Sequence, residues 1–534
     1  MPRYEYKPFD YATPPELSGG GPSDAPVAII GAGPVGLALA IDLALHGVKS
    51  VVIDDNNVVS VGSRAICWSK RTLEIFGRLG VGRRMVEKGV TWKVGRLFHR
   101  DEEIYSFDLL PEAGHSYPAF INLQQYYVEQ YLVERAREFP RQIDLRFKNE
   151  VTGHRDHGDR VTVDVATPDG AYTLDCAWLV ACDGARSPTR RRMGLDFVGH
   201  TFEEQFLICD IEMEESPFGG NAAERWFWFE PTFHEGQSTL LHKQPDNIYR
   251  IDLQLDADAD AEVEKREENV RPRIERVVGG KPFTIDWLSI YRFTCARLER
   301  FVHGRVVFCG DSAHVVSPFG ARGGNGGIQD ADNLAWKLAA ILAGEAPESL
   351  IESYNAERIH GADENIGNSS RATNFMTPKS KTEFMFRDEV LRLARDHTFA
   401  RRLINSGRLS LPCALTGFPL QTEHAGAPLP PGSPALDAPL ASAGGPAWLL
   451  DQLTSEFLLL STGTAPDLGA TGLRHVVVAP GADFEDREGF VAARYGEGWT
   501  YLMRPDQHVA AAFSNDDVTA EAVNAALARA RGRA

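Results

Sequence analysis

The sequence predicts an α/β protein: a nucleotide-binding domain, interrupted by a mostly antiparallel sheet and followed by a smaller α/β unit. Three observations predict it. A glycine-rich turn, Gly31-Ala32-Gly33-Pro34-Val35-Gly36, sits between a short apolar run and a helical segment. Residues 200–292 change to strand-like runs joined by Pro, Asn and Gly turns. Nucleotide-domain character returns at 305–310 and leads into a long helical pattern. A chain of 534 residues has room for two or three such domains.

In order along the chain, Val27-Ala28-Ile29-Ile30 reads as a buried strand of a parallel sheet. Helical spacing runs from Leu37 to His46, and Gly47 stops it as an end cap. Residues 50–53 form the next strand. A helix is expected over 70–79, where Leu73, Phe76 and Leu79 share a face, and another over 124–138. Residues 143–180 alternate as a meander, as in Val161-Thr162-Val163-Asp164-Val165, and end in the apolar 178–182. In the inserted region, strands are expected over 206–211, 225–229, 239–243 and 248–255, with Gln244-Pro245-Asp246-Asn247 as a hairpin loop. A helix follows over 327–342, with more helix to about residue 403. The Pro/Gly/Ala-rich 424–446 reads as a linker. Strands near 457–461, 473–479, 499–504 and 509–513 and a helix over 518–531 complete a small α/β unit.

The expected boundaries are a tail over 1–25 and a nucleotide domain over 26–199, which lends a segment near 90–121 to the inserted sheet. The sheet domain spans 200–292, the returning nucleotide domain and helices 293–415, the linker 416–446 and the last domain 447–534.

Composition narrows the function. Hydrophobic content of 43% and charged content of 24% are those of a soluble globular protein. Lys+Arg of 56 against Asp+Glu of 74 gives a net charge of -18, which argues against nucleic acid as partner. No run approaches the roughly 20 apolar residues of a membrane span, and residues 1–25 lack signal-peptide character. The seven cysteines are scattered and free of any Cys-x-x-Cys pair. That speaks against a disulfide framework or a metal site and fits a cytoplasmic protein.

The turn at 31–36 is Gly-x-Gly-x-x-Gly, a Rossmann-like signature. Gly31 permits the tight turn, Gly33 lets a pyrophosphate approach the backbone, and Gly36 lets helix and strand pack closely. The phosphates then sit on a helix N-terminus. Asp54, ending the next strand, is the candidate for the ribose hydroxyls. This much fits NAD as well as FAD. Two later motifs decide. One is Cys182-Asp183-Gly184-Ala185-Arg186-Ser187-Pro188, directly after an apolar strand. The other runs from Gly304 through Gly310-Asp311-Ser312-Ala313-His314 and Pro318 to Gly323-Gly324-Asn325-Gly326-Gly327-Ile328-Gln329-Asp330-Ala331. Asp311 can accept hydrogen bonds from a polyol chain, and the glycine-opened helix can stabilise negative charge on a ring. A flavin needs both; a nicotinamide dehydrogenase needs neither.

With these motifs the chain resembles the single-component FAD-dependent aromatic hydroxylases (class A flavoprotein monooxygenases). It is most similar to their 3-(3-hydroxyphenyl)propionate hydroxylase and phenol hydroxylase branch. The resemblance implies a glutathione-reductase-type FAD-binding domain and a C-terminal thioredoxin-like domain. The latter lacks Cys-x-x-Cys here and is expected to be structural or dimer-forming, in a homodimer, with removal of the residues after about 424 sparing flavin binding. It implies that Gly31, Gly33, Gly36 and Asp54 bind the ADP half, that Arg64 and Gln125 also touch FAD, and that Asp183 belongs to a motif serving FAD and NAD(P)H. Gly310 and Asp311 would serve the ribityl chain, with Pro318, Gly324 and Asn325 beside the ring. Where members often carry Gly-x-Gly-x-Asn, this chain has Arg322-Gly323-Gly324-Asn325, so Arg322 becomes a candidate for tuning the flavin or the substrate pocket.

The implied reaction takes NADH or NADPH, O2 and a small phenolic substrate through a flavin C4a-hydroperoxide. A larger polyketide-like or non-aromatic substrate on the same fold is the alternative, and a non-enzymatic flavin-binding regulator a third reading. The absence of a second Gly-x-Gly-x-x-Gly suits a nicotinamide that visits and leaves. The inserted sheet should supply the substrate wall. Trp226 and Trp228 suit a wall or core packing; His242 and Tyr249 suit acid–base work or burial; Arg250 suits a substrate carboxylate or a solvated face. His314 reads as a structural neighbour of the flavin.

Overall fold

The computed structural model describes residues 4–21, 23–109, 112–220, 222–404 and 411–533, without the side chains of residues 203 and 204. Its centre is a six-stranded sheet. The order is Val302–His303, Val306–Phe308, Trp178–Ala181, Val27–Ile30, Ser50–Asp54 and Ile143–Phe147, parallel except for the edge pair 302–308. Val27–Ile30 and Trp178–Ala181 are buried at every position, which is why they read as unbroken apolar runs. The helices Pro34–Leu45 and Gly323–Leu342 and the meander Glu150–Asp156, Val161–Thr167 and Gly170–Cys176 pack into one core with this sheet. Gly323–Leu342 starts a turn before the expected 327, so the glycine run lies inside the helix.

The inserted domain is an eight-stranded sheet. Its order is His314–Val315, Thr284–Arg297, Val198–Glu212, Ile248–Leu255, Ser238–Lys243, Glu224–Phe229, Val94–His99 and Glu102–Asp108. The segment expected from 90–121 supplies the last two strands. The pairing of Glu224–Phe229 with Val94–His99 is parallel; the others are antiparallel. One face packs on the helix Glu267–Val277 through Leu207, Ile251, Leu253, Val270 and Ile274. The opposite face packs toward the nucleotide domain and the long helices through Phe206, Phe229, Leu240, Phe319 and Met376.

The last unit is a mixed seven-stranded sheet, closed by the helix Ala520–Ala530. One expectation fails here. The stretch 416–446 is no tether: Leu429, Ala435 and Ala438 are buried, and Pro439–Ser442 is itself a strand of the sheet. The tail has a core of its own around Leu458, Tyr495, Tyr501 and Met503, and it also packs on the nucleotide domain. Phe457, Leu459, Leu502, Ala511, Val523 and Ala530 share one apolar core with Trp336 and Tyr354 of the nucleotide domain.

A buried ionic lattice crosses the same junction. Arg504, 1% exposed, donates to Glu357 at 2.8 and 3.0 Å and to Asp506 at 3.0 and 2.6 Å. Lys337 Nζ reaches Glu357 at 2.7 Å. Asn333 and Trp336 donate to Asp506 Oδ2 at 3.1 and 3.2 Å, and Arg71 Nη2 donates to the Asp506 carbonyl at 2.7 Å. Charges taken out of water this completely need such complete pairing.

Candidate active site

The three glycines of the first turn do three different things. Gly31 has φ +104°, and a Cβ there would stand 2.5 Å from the Cys182 carbonyl oxygen. A Cβ on Gly36 would fall 2.1 Å from the Gly31 carbonyl oxygen. Both must be glycine for strand and helix to close up. Gly33 faces open space, with nothing within 4 Å of a Cβ. Room is therefore left where the uncapped N-terminus of Pro34–Leu45 offers its amides. Asp54 accepts the Ala32 N–H at 2.6 Å and the Asn56 N–H at 2.8 Å, and burial pushes its carboxyl pKa up.

The loop after Asp54 is laced to the helix Gln125–Ala136. Gln125 accepts the Ala65 N–H at 3.1 Å and donates to Glu129 at 2.7 Å; Glu129 accepts the Ser60 N–H at 2.5 Å. Arg64 itself is exposed. In the second motif, Asp183 accepts the Thr189 N–H at 3.0 Å, while its Oδ1 is buried with no partner among the described residues.

The third motif is bolted from below by a residue that lies within the motif but to which the sequence alone assigns no role. Asp330, 0% exposed, accepts the Gly310 N–H at 3.0 Å and lies 2.7 Å from His314 Nε2 and 2.6 Å from Arg358 Nε. These partners hold its pKa below the usual carboxylate range against the opposing effect of burial. The signal was an aspartate inside the apolar face of a helix. From the turn it fixes, Asp311 projects without a hydrogen-bond partner among the described residues. Asp311 is open to solvent, yet protein surrounds it closely enough to raise its pKa, so it stands in a cleft.

Past the exposed Pro318, Gly320 (φ +96°) and Ala321 (φ +53°) turn the chain into the helix Gly323–Leu342. No side chain caps its first turn. Asn325 instead clamps it to the strand Cys67–Ser69, accepting the Ser69 N–H at 2.9 Å and donating to the Cys67 carbonyl at 2.9 Å. A Cβ on Gly324 would lie 3.4 Å from Trp68.

A cavity of about 650 Å³ opens beside this helix start. Phe319, Gly320 and Arg322 form one wall; Arg225, Phe227 and Phe229 of the inserted sheet form another. Of the six substrate and catalytic candidates, Arg322 alone lines it. Arg322 is buried and donates to Asn365 at 3.1 Å; burial pushes its pKa down to about 10. The other five need correction. Trp226, Trp228 and Tyr249 point to the opposite face, into the core against Glu267–Val277, because strand side chains alternate and Arg225, Phe227 and Phe229 hold the cavity side. His242 is buried beside Arg225 and Arg250, and desolvation first, then those cations, hold its pKa well below the ordinary value. Arg250 is committed, donating to Asp252 at 2.7 Å and to the Ser63 and Arg64 carbonyls at 2.5 and 3.0 Å. It ties the sheet to the loop after Asp54. No Asp, Glu, His or Tyr lines the cavity among the described residues.

A glycine turn shaped for pyrophosphate, an unpartnered carboxylate in a cleft and an uncapped helix end beside an apolar cavity define a flavin-dependent oxidoreductase. The comparisons agree. Residues 24–369 match the family model of the FAD binding domain, and the chain belongs to that family. It is 32% identical over 352 residues to a flavin-dependent monooxygenase of Mycobacteroides abscessus, covering 62% of this chain and 71% of that one. It is 28% identical over 417 residues to a 3-(3-hydroxy-phenyl)propionate/3-hydroxycinnamic acid hydroxylase of Mycolicibacterium gilvum, covering 77% and 71%. Among solved structures, the OxyS anhydrotetracycline hydroxylase of Streptomyces rimosus superposes with a TM-score of 0.72 at 26% identity, covering 94% and 98%. The chain is thus a member of the flavin-dependent monooxygenases. No helix among the described residues is long and apolar enough to cross a membrane.

Proposed function

We propose that the protein hydroxylates a phenolic ring held in the 650 Å³ cavity, using FAD, NADH or NADPH, and O2. The observation that carries this reading is the shared wall: Phe319, Gly320 and Arg322, which line the cavity, run directly into the helix Gly323–Leu342, whose amide end would face the flavin. Gly31, Gly33, Gly36 and Asp54 would hold the ADP half, and Arg64, Gln125 and Asp183 its middle. Gly310 and Asp311 would hold the ribityl chain, with Pro318 and the backbone at Gly324 and Asn325 along the ring. When bound and reduced, FAD supplies the oxygen-transfer chemistry.

The chain's own residues position and shield. Phe227, Phe229, Phe319 and Met376 make an apolar wall that orients a flat ring and keeps water out. The helix N-terminus favours negative charge on the flavin side. With no carboxylate, histidine or tyrosine on the wall, ionisation of the phenol falls to the cationic side chains around it. We also place the protein in the cytoplasm, on its free cysteines.

A second reading, a fused-ring phenol, is favoured by the likeness to the anhydrotetracycline hydroxylase. The test is NAD(P)H oxidation by the FAD-loaded protein with monocyclic and fused-ring phenols, scored by product mass. A gain of one oxygen atom supports the proposal, and the better substrate class chooses between the readings. A preparation that stays colourless after reconstitution with FAD, or forms no oxygenated product from any phenol, ends it.

A further inference from the structure

We propose that Arg225 is the recognition residue of this cavity and pairs with an anionic oxygen of the substrate, either a carboxylate or the ionised ring oxygen. The inference rests on the cavity being the hydroxylation site and deepens that reading by naming the substrate's charge.

The geometry begins with strand parity. On Glu224–Phe229, Arg225 shares the cavity face with Phe227 and Phe229. The register sets Arg225 opposite His242, His242 opposite Arg250 and Arg250 opposite Asp210, so a polar row crosses the sheet. Three members of that row are accounted for. Arg250 is neutralised by Asp252 and two carbonyls. Asp210 accepts from Gln244 at 3.2 Å. His242 is held neutral. Arg225 has no ion pair and no hydrogen-bond acceptor among the described residues. Its guanidinium carbon lies 5.9 Å from the Trp92 ring centroid.

The rest of the wall does not supply the missing charge. Arg96, Arg225 and Arg322 line the cavity, and no acidic residue does. Arg96 is spent on Glu224 at 2.6 Å and Glu103 at 3.1 Å, and Arg322 donates to Asn365. In a chain of net charge -18, an acid-free pocket with three guanidiniums is a local reversal of sign. Desolvation already lowers the Arg225 pKa, opposed by Cys67 and Asp252 and reinforced by Arg250. Closing a neutral ligand over Arg225 would bury a cation with no partner, a costly state. An anionic oxygen would complete a charge-assisted pair and could take the fork bidentately. If that oxygen is the ring's own, the same contact lowers the phenol's pKa and raises the ring's electron density, with no base required.

The experiment uses the FAD-loaded protein and its Arg225→Gln and Arg225→Lys variants. The probes are 3-(3-hydroxyphenyl)propionate, its primary amide, and 4-nitrophenol, whose anion is coloured. Dissociation constants come from perturbation of the flavin spectrum. We expect wild type either to prefer the acid over the amide by about tenfold or more, or to bind 4-nitrophenol as its anion below the free phenol's pKa. The first outcome identifies a carboxylate, the second the ring oxygen. Arg225→Gln should abolish that preference with FAD occupancy unchanged, and Arg225→Lys should keep part of it. A wild type with neither preference, a glutamine variant that keeps its preference, or loss of FAD from both variants overturns the inference; the last would assign Arg225 to the cofactor. A wild type that prefers the anion yet forms no oxygenated product would refute the hydroxylase reading and leave Arg225 in its role.

Discussion

Replacing Arg504 with methionine should destabilise the whole molecule. The guanidinium makes four charge-assisted hydrogen bonds to two carboxylates, all out of contact with water. Methionine fills much of the volume and leaves both carboxylates buried with fewer partners. Glu357 would keep Lys337 at 2.7 Å; Asp506 would keep Asn333, Trp336 and, 3.4 Å away, His508. Breaking a buried pair by removing one partner costs about 3–5 kcal/mol, and the surviving contacts place this case near about 3 kcal/mol. Arg504 also presses on Lys337, whose pKa burial first pushes down to about 8, so the variant's lysine should titrate higher. Urea denaturation followed by tryptophan fluorescence and by flavin release is the assay, with the exposed pair Arg487–Glu485 as control, where Arg487→Met should leave the denaturation midpoint essentially unchanged. Both probes should shift together, because the tail and the nucleotide domain share one core. A loss under about 1 kcal/mol, or tail unfolding that leaves flavin release where it was, would refute the reasoning.

Three further outcomes follow from the geometry. Gly33→Ala should leave the apoprotein's Tm nearly unchanged and weaken FAD at least about tenfold, because its Cβ enters free space reserved for phosphate; Gly36→Ala should fail to fold, its Cβ 2.1 Å from a carbonyl oxygen, and equal Tm values for the two would sink the distinction. Asp311→Asn should keep the Tm and lose FAD affinity in a fluorescence titration, since its carboxylate serves no internal bond; unchanged affinity would remove it from the ribityl site. Asp210 is buried and its pKa is pushed up to about 7, chiefly by desolvation, against about 3.9 when unfolded. Folding therefore favours its protonated form, and stability present below about pH 4 is lost as pH rises through about 7, by at most about 4 kcal/mol. Asp210→Asn should gain on wild type between pH 5 and pH 8 in denaturation midpoints; a pH-independent difference would contradict this.

The nucleotide site was readable because its chemistry is local. Gly36 answers a constraint within its own turn, the three glycines are contiguous in sequence although Gly31 also answers to Cys182 at the end of a distant strand, and Asp311 follows its strand directly. The substrate wall was misread for a physical reason. Both faces of the inserted sheet are covered, one by Glu267–Val277 and one by the nucleotide domain, so Arg225-Trp226-Phe227-Trp228-Phe229 shows no polar-out alternation. The usable mark was the charge itself: an arginine in an aromatic strand points out the face that meets a polar group, and Phe227 and Phe229 share its parity. The lattice joining the tail was beyond reach, because Arg504-Pro505-Asp506 looks like a surface turn until Glu357, 147 residues away, is beside it. The same holds for the 416–446 stretch, whose small residues suit close packing as well as a tether.

The cavity has two kinds of wall, with unequal freedom to change. Phe319, Gly320 and Arg322 belong to the peptide that starts the helix Gly323–Leu342, so a substitution there would also be felt by a flavin bound at the helix end. Phe107 and Met376 come from the sheet edge and a long helix, remote in sequence from every nucleotide motif. The second set can therefore change with less consequence for the nucleotide site than the first. In a laboratory library, randomising Phe107 and Met376 should broaden the accepted ring systems at little expense in coupling, whereas diversity at 319–322 should surface first as leaked peroxide.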